Sequence, residues 1–145
     1  MQPTHAILNN DPAAAWLGIE VEQAEYGTAR ISMTLRPEML NGFGIAHGGM
    51  IFTLADTAFA MACNRPDGEA DTITVASGCD IDFVSPGRSG ERLTATALVR
   101  HHHGRSGLYD ITVTGEDGRV IAEMRGRSRT INRPQPGNYS ASFSA

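Results

Sequence analysis

Between Met50 and Cys63 the apolar residues Ile51, Phe52, Leu54, Ala55, Ala58, Phe59, Met61 and Ala62 recur at spacings that cover nearly every face of a helix. A helix lying on a surface shows a single apolar stripe, so this pattern predicts a helix buried all round. Its only charge is Asp56.

Elsewhere the period falls to two. Residues 19–25, and then Ala29, Ile31, Met33 and Leu35 alternating with Arg30, Ser32, Thr34 and Arg36, predict two half-buried strands joined as a hairpin at Tyr26-Gly27. Residues 72–83 predict a strand that stops before Ser85-Pro86-Gly87, and residues 93–99, 108–114 and 120–131 predict three more. Turns at residues 104–107 and at Glu116-Asp117-Gly118 separate these as hairpin connections do. Near the start, Asp11-Pro12 is a helix cap and first turn, and Gly18 stops the short helix after Leu17. The order is two strands, one long apolar helix and a four-strand meander, an α+β arrangement. A flat sheet covers one face of a helix, so the sheet must wrap it, and any face left over needs another cover such as a second subunit. Residues 1–131 read as one domain. Residues 132–145, with Pro134, Pro136 and Gly137 and no periodicity, read as a flexible tail.

A chain of 145 residues with 41% hydrophobic content is long enough for one well-buried domain and short for two. The net charge of −4 argues against a general affinity for nucleic acid or an anionic membrane, since both need a basic excess. Cys63 and Cys79 have no paired spacing and read as reduced thiols. Met1-Gln2-Pro3-Thr4-His5 has neither the basic nor the apolar stretch of a leader, and no run reaches the ~18 apolar residues of a membrane span. These readings together predict a soluble, cytoplasmic protein.

The chemistry concentrates in Asn41-Gly42-Phe43-Gly44-Ile45-Ala46-His47-Gly48-Gly49, which runs straight into the apolar helix. A glycine-rich turn at a helix start leaves backbone N–H groups free at the positive end of the helix dipole, where they hold an anion or a developing oxyanion. Gly48 and Gly49 are the candidate donors. Asp56 is the candidate acid or base, because an ionised carboxylate among apolar residues is either paired structurally or kept for chemistry.

Asn41-Gly42, His47 to Gly49 and Leu54-Ala55-Asp56-Thr57-Ala58-Phe59-Ala60 together resemble the hotdog-fold acyl-CoA thioesterases, most closely the phenylacetic-acid-degradation branch. Ala76-Ser77, Ile81-Asp82-Phe83, Pro86-Gly87, the segment from Leu93 to Ala97, and Gly107-Leu108-Tyr109-Asp110 extend the likeness over about residues 11 to 131. The resemblance implies an antiparallel sheet of about six strands wrapped round one long central helix, homodimers that join two sheets, and commonly a dimer of dimers. It implies that Asp56 activates water or attacks the thioester carbonyl and that Gly48 or Gly49 holds the carbonyl oxygen. It further implies that Asn41 orients water or substrate and that His47 supports the turn. Some members carry Thr or Ser where Ala60 stands here, so a hydroxyl could come only from another element, such as Ser77.

The run Arg100-His101-His102-His103-Gly104-Arg105 invites a metal reading, but successive strand residues point to opposite faces and no Cys or carboxylate lies at ligand spacing. No metal is expected. A cationic rim of Arg100, His103 and Arg105 for the phosphates of coenzyme A is the alternative, against a solvated hairpin end. Phe83, Ser77, Gly107 and Tyr109 complete the candidate substrate-binding set, although Phe83 and Tyr109 fit a plain strand core better than an acyl pocket.

The expected reaction is hydrolysis of an aromatic, phenylacetyl-like acyl-CoA to the acid and free coenzyme A. It needs a carboxylate, a water and an oxyanion site, and no cofactor beyond the coenzyme A of the substrate. Its rival is a non-catalytic acyl-CoA-binding or regulatory module, since fold does not fix function.

Overall fold

A computed structural model of the chain describes residues 2–134. The short helix α1 (Pro12–Leu17) starts where Asp11 Oδ1 accepts the Ala14 N–H at 3.0 Å, and it ends at Gly18, whose φ of 71° is left-handed. Strands β1 (Glu20–Glu25) and β2 (Thr28–Thr34) pair antiparallel through the two-residue turn at Tyr26-Gly27. The Gly27 N–H donates to the Ala62 carbonyl at 2.8 Å, which ties that turn to the long helix α2 (Gly48–Cys63).

Four further strands follow: β3 (Thr72–Phe83), β4 (Arg92–His103), β5 (Ser106–Thr114) and β6 (Val120–Asn132). The sheet order is β1-β2-β4-β5-β6-β3, with every pairing antiparallel. This corrects the expected four-strand meander. Only β4, β5 and β6 meander, while β3 lies beside β6 at the sheet edge, and β4 pairs with β2 across the sheet. The reason is the β3–β4 connection, residues 84–91, which is too long for a tight turn and crosses over the loop that enters α2. Gly87 makes the crossing possible: a Cβ there would lie 2.9 Å from Leu35 Cδ1 and 3.2 Å from the Ala46 Cβ.

Helix α2 packs against the inner face of all six strands. The core joins Ile51, Leu54, Ala55, Ala58, Phe59, Met61 and Ala62 of α2 to the inward positions of the sheet, such as Ile31, Met33, Leu93, Ala95, Ile111 and Val113. The closest approach is at Gly126, where a Cβ would stand 2.7 Å from the Phe59 ring. One chain does not bury the helix all round, however. Phe52, Thr53, Asp56, Thr57 and Ala60, spaced by three and four, form a half-buried stripe.

At the other end, β6 includes Asn132, and the Arg133 N–H donates to the Asp71 carbonyl at 2.7 Å. Sheet contacts therefore continue two residues past the boundary drawn from periodicity. Residues 135–145 of the expected tail lie outside the described residues.

Candidate active site

The loop into α2 is closed on itself. Leu40 bridges Ala46, the Asn41 N–H donates to the Ile45 carbonyl at 2.8 Å, and Asn41 Oδ1 accepts the N–H groups of Phe43 at 2.9 Å and Ile45 at 3.4 Å. The Asn41 carbonyl oxygen is thus spent on shaping the loop, and its amide nitrogen is the end left to meet water or substrate. At the tip Phe43 is 89% exposed.

His47 is the N-cap of α2. Its Nδ1 accepts the Gly49 N–H at 3.1 Å, which places the ring proton on Nε2, and its carbonyl accepts the N–H groups of Met50 at 2.9 Å and Ile51 at 3.3 Å. The expected supporting role of His47 is therefore a backbone cap. The same bonds decide between the two glycines: Gly49 is occupied, and among the described residues the Gly48 N–H has no acceptor. Gly48 is the open donor at the positive end of the helix dipole. The Phe83 ring lies beside Gly48, with Cζ 3.2 Å from where a Cβ on that residue would sit.

Asp56 lies two turns on, in the half-buried stripe. No side-chain hydrogen bond or ion pair among the described residues involves its carboxylate. Burial raises its pKa above the ordinary aspartate value, and the negative charge of Asp11 adds to the rise. A carboxylate that is partly desolvated, unpaired and raised toward neutral pH has the properties of a general base. Cys63, two turns further along the same side of α2, is buried, and burial pushes its thiol up to about 12.

Ser77 sits at a bulge in β3 between Ala76 and Gly78, and its Oγ donates to the Arg127 carbonyl at 3.1 Å. A bulge bends its strand and raises the local twist, and this one leaves Ser77 exposed on the edge strand.

Other candidates are not part of this cluster. Tyr109 is 1% exposed and packs at a tilt of 52° against Phe59 with ring centroids 5.4 Å apart, so within one chain it is core. Gly107 serves that packing, since a Cβ there would lie 2.6 Å from Ser128 Oγ and 2.8 Å from the Tyr109 ring. Arg100 pairs with Asp110 at 3.3 Å on the outer sheet face, and Arg105 donates to the Thr130 carbonyl at 3.2 Å. His103 pairs with Ser106 at the hairpin end, level with Arg129 and Val75, whereas Phe83 is level with Ala122. Eight strand residues at about 3.3 Å each put the level of His103 roughly 26 Å from Phe83 along the strands of one chain, with Arg100 between the two levels. Alternation along a strand could not show this, because it gives the face and not the level. Phe83 itself is 54% exposed beside Val84 at 59%, and is not core.

The periodicity also missed Phe43 and Val84, which are exposed apolar residues on the loop into α2 and just after Phe83. The signal was present in Gly42-Phe43-Gly44, where an aromatic residue between two glycines of a turn is not a core position. Neither of two surface cavities, of about 560 and 710 Å³, touches Gly48 or Asp56. In one chain the site is an open stripe.

One long helix held in a curled antiparallel sheet, with an open N–H at its start and an unpaired aspartate two turns later, is the hotdog arrangement of a thioester hydrolase. The chain belongs to the thioesterase superfamily, whose pattern matches residues 43–122. It is 45% identical over 130 residues to acyl-coenzyme A thioesterase PaaI of Escherichia coli (strain K12), covering 90% of each chain. The solved structure of the E. coli PaaI protein from the phenylacetic acid degradation operon matches with a TM-score of 0.80 at 44% identity, over 86% of this chain and 87% of that one. A point-mutant structure of the phenylacetic acid degradation protein PaaI from Thermus thermophilus matches with a TM-score of 0.75 at 33% identity, over 82% of this chain and 98% of that one.

Proposed function

We propose that the protein hydrolyses a phenylacetyl-like aromatic acyl-CoA in a homodimer, each active site taking Gly48 from one subunit and Asp56 from the other. The observation that carries this reading is the pair of unpartnered groups on α2, the Gly48 N–H and the Asp56 carboxylate. Asp56 takes a proton from water as the water oxygen attacks the thioester carbon. The carbonyl oxygen gains negative charge at the Gly48 N–H, and when the C–S bond breaks the coenzyme A sulfur receives the proton back from Asp56. Products are the carboxylic acid and free thiol, and no metal or further cofactor enters.

The aromatic acyl group is supported by the Phe83 ring beside Gly48, by the exposed side chains of Phe43 and Val84, and by the likeness to proteins whose names carry phenylacetic acid degradation. The dimer is supported by the open stripe on α2 and by the free edge of β3, which presents unpaired backbone groups to a second copy. A dimer of dimers belongs to the same proposal. It is supported by the outer sheet face, acidic at Asp82 and Glu123 and basic at Arg127 and Arg129, a pattern complementary to itself when turned about a two-fold axis. A cytoplasmic location is supported by the free thiols of Cys63 and Cys79. No helix of the described residues is long and apolar enough to cross a membrane.

The test is release of free thiol from a panel of acyl-CoA esters. Phenylacetyl-CoA should turn over faster than acetyl-CoA and palmitoyl-CoA. Stoichiometric binding with no thiol released from any ester would make the protein an acyl-CoA-binding module instead.

A further inference from the structure

The loop that carries Gly48 into α2 is tied to the rest of the chain at one point. Within it the Asn41 N–H donates to the Ile45 carbonyl and the Gly44 N–H to the Asn41 carbonyl, while the His47 N–H goes back to the Met39 carbonyl at 2.8 Å. Among the described residues, the one backbone hydrogen bond from residues 40–47 to a distant part of the chain is that of the Ala46 N–H to the Gly87 carbonyl, at 2.8 Å. Gly87 belongs to the β3–β4 connection, residues 84–91. The direction of the Gly48 N–H, two residues after Ala46, therefore depends on where that connection lies.

The connection is held from its other side by the start of β6. The N–H groups of Val84 and Ser85 donate to the Ile121 carbonyl at 2.8 and 3.2 Å, and Arg119 Nη2 donates to the Pro86 carbonyl at 2.6 Å. That guanidinium is itself fixed. Nη1 meets Glu91 Oε2 at 2.7 Å and Asp117 Oδ1 at 3.0 Å, and Nη2 meets Glu91 Oε1 at 2.9 Å, a two-pronged grip on a carboxylate whose side chain is only 12% exposed. Glu91 is anchored in turn, because its Oε1 accepts the Arg88 N–H at 3.1 Å and its carbonyl accepts the Leu35 N–H at 2.8 Å. The pair lies close over Gly115, where a Cβ would be 2.5 Å from Glu91 Oε2 and 2.8 Å from Arg119 Nη1. An exposed ion pair is worth little, but this one grips the carbonyl next to the bond that holds the loop.

We propose that Arg119 is a positioning residue for the hydrolysis: its guanidinium holds the Pro86 carbonyl and so sets the adjoining Gly87 carbonyl, which fixes the loop and with it the Gly48 N–H. This rests on Gly48 being the oxyanion donor of the reading above. Such a donor must lie about 2.7 to 3.1 Å from the developing charge, and a misplacement of ~1 Å can cost about 10²-fold. Arginine suits the task because its planar fork grips both Glu91 oxygens and still presents a hydrogen to Pro86, whereas a lysine ammonium is a point charge on a flexible stem. The charge that Gly48 meets exists only in the transition state, so a displaced donor is read in kcat and not in KM.

The test is the steady-state kinetics of Arg119→Lys and Arg119→Gln with phenylacetyl-CoA. Both should lower kcat by about ten- to a hundredfold with KM within about twofold of wild type. Arg119→Lys keeps a positive charge between Glu91 and Asp117, so it tests the grip on the carbonyl in a folded enzyme. Arg133→Gln, which releases the Glu69 and Ala70 carbonyls at the other end of β6, is the control for lost stability and should leave kcat unchanged. In a Gly48→Pro background, which has no donor left to place, Arg119→Lys should lower kcat no further. A kcat within about twofold of wild type in both Arg119 variants, a rise in KM alone, or the same fall in kcat with and without Gly48→Pro overturns the inference. Gly48→Pro by itself separates the two claims. If it is slow while Arg119→Lys turns over like wild type, this inference alone fails, and if it turns over like wild type, the oxyanion reading fails and takes this one with it.

Discussion

His47 Nδ1 accepts the N–H of Gly49 at 3.1 Å, and that bond leaves Gly48 with the one open donor in the first turn of α2. The imidazole therefore holds the helix start. His47→Asn, which also caps, should keep activity near wild type, whereas His47→Ala should lose about 1 kcal/mol of stability with a modest fall in kcat. Thermal melts and kcat on the two variants check this. Activity lost equally in both would make the imidazole itself a chemical participant.

Removing the donor is a different matter. Gly48→Pro deletes the N–H while a proline remains acceptable at the first helical position, so kcat should fall by about 10² to 10³ with the fold retained. Gly48→Ala keeps the N–H and presses on the Phe83 ring, where the added Cβ would be 3.2 Å from Cζ. Its loss should be smaller and should be relieved by Phe83→Leu, measured as kcat in the double variant.

Asp56→Asn should lower turnover by at least ~10². Its effect on stability has the opposite sign. Burial first, and the Asp11 charge second, raise the folded-state pKa of Asp56 above its unfolded value. The folded state then holds the proton more tightly than the unfolded state, so this group costs stability as pH rises from the ordinary aspartate value through the folded one. Asp56→Asn should accordingly be more stable than wild type at neutral pH, with the difference vanishing below the ordinary aspartate range. Denaturant melts across that range would contradict this if the difference grew toward acid.

How much of this was legible in the chain depends on what kind of information was asked for. The α2 boundaries, the Tyr26-Gly27 hairpin and the Asp11 cap are local, and periodicity and capping chemistry placed them to within a residue or two. The place of β3 beside β6 was not local: nothing in residues 72–83 says which strand they meet, and only the long connection at Pro86-Gly87 hinted that β4 was not the neighbour. In the candidate site, the string from Asn41 to Asp56 holds both the proposed donor and the proposed base. It could not choose between Gly48 and Gly49, because that choice is made by the direction of the His47 ring. The candidates at residues 100–109 posed a related difficulty. They lie on β4 and β5, where within one chain they stand toward the hairpin end, on the outer face or in the core, and level and depth come from sheet register.

The outer sheet face carries its own prediction. Arg125 and Arg127 are paired with Asp110 at 2.7 Å and Asp80 at 2.9 Å, whereas Asp82, Glu123 and Arg129 have no ion pair among the described residues. Glu123 and Arg129 lie six residues apart on one face of β6, so a two-fold axis near Gly126 would set Glu123 against Arg129 of the partner subunit. Glu123→Arg and Arg129→Glu should each reduce tetramers to dimers with activity retained, and the double reversal should restore tetramers. Light scattering behind size exclusion reads the mass. Tetramers that persist in both single variants would rule out this face.

The last prediction comes from helix length. Gly48 and Asp56 are eight residues apart, about 12 Å along α2, whereas the oxyanion donor and the base must each come within roughly 3 to 4 Å of the reacting atoms. One helix cannot place both. Two antiparallel α2 helices related by a two-fold axis bring Gly48 of one chain opposite Asp56 of the other, and the same contact covers the stripe of Phe52, Thr53, Thr57 and Ala60 that a single chain leaves open. The dimer is then the smallest active unit and holds two composite sites. Gly48→Pro and Asp56→Ala should each be inactive alone. Mixed under conditions of subunit exchange, they form heterodimers in which one site has lost both groups and the other has kept both, so the mixture should approach a quarter of wild-type activity when half of the dimers are mixed. Exchange proven by mass with no activity recovered would show that donor and base are not shared across the interface.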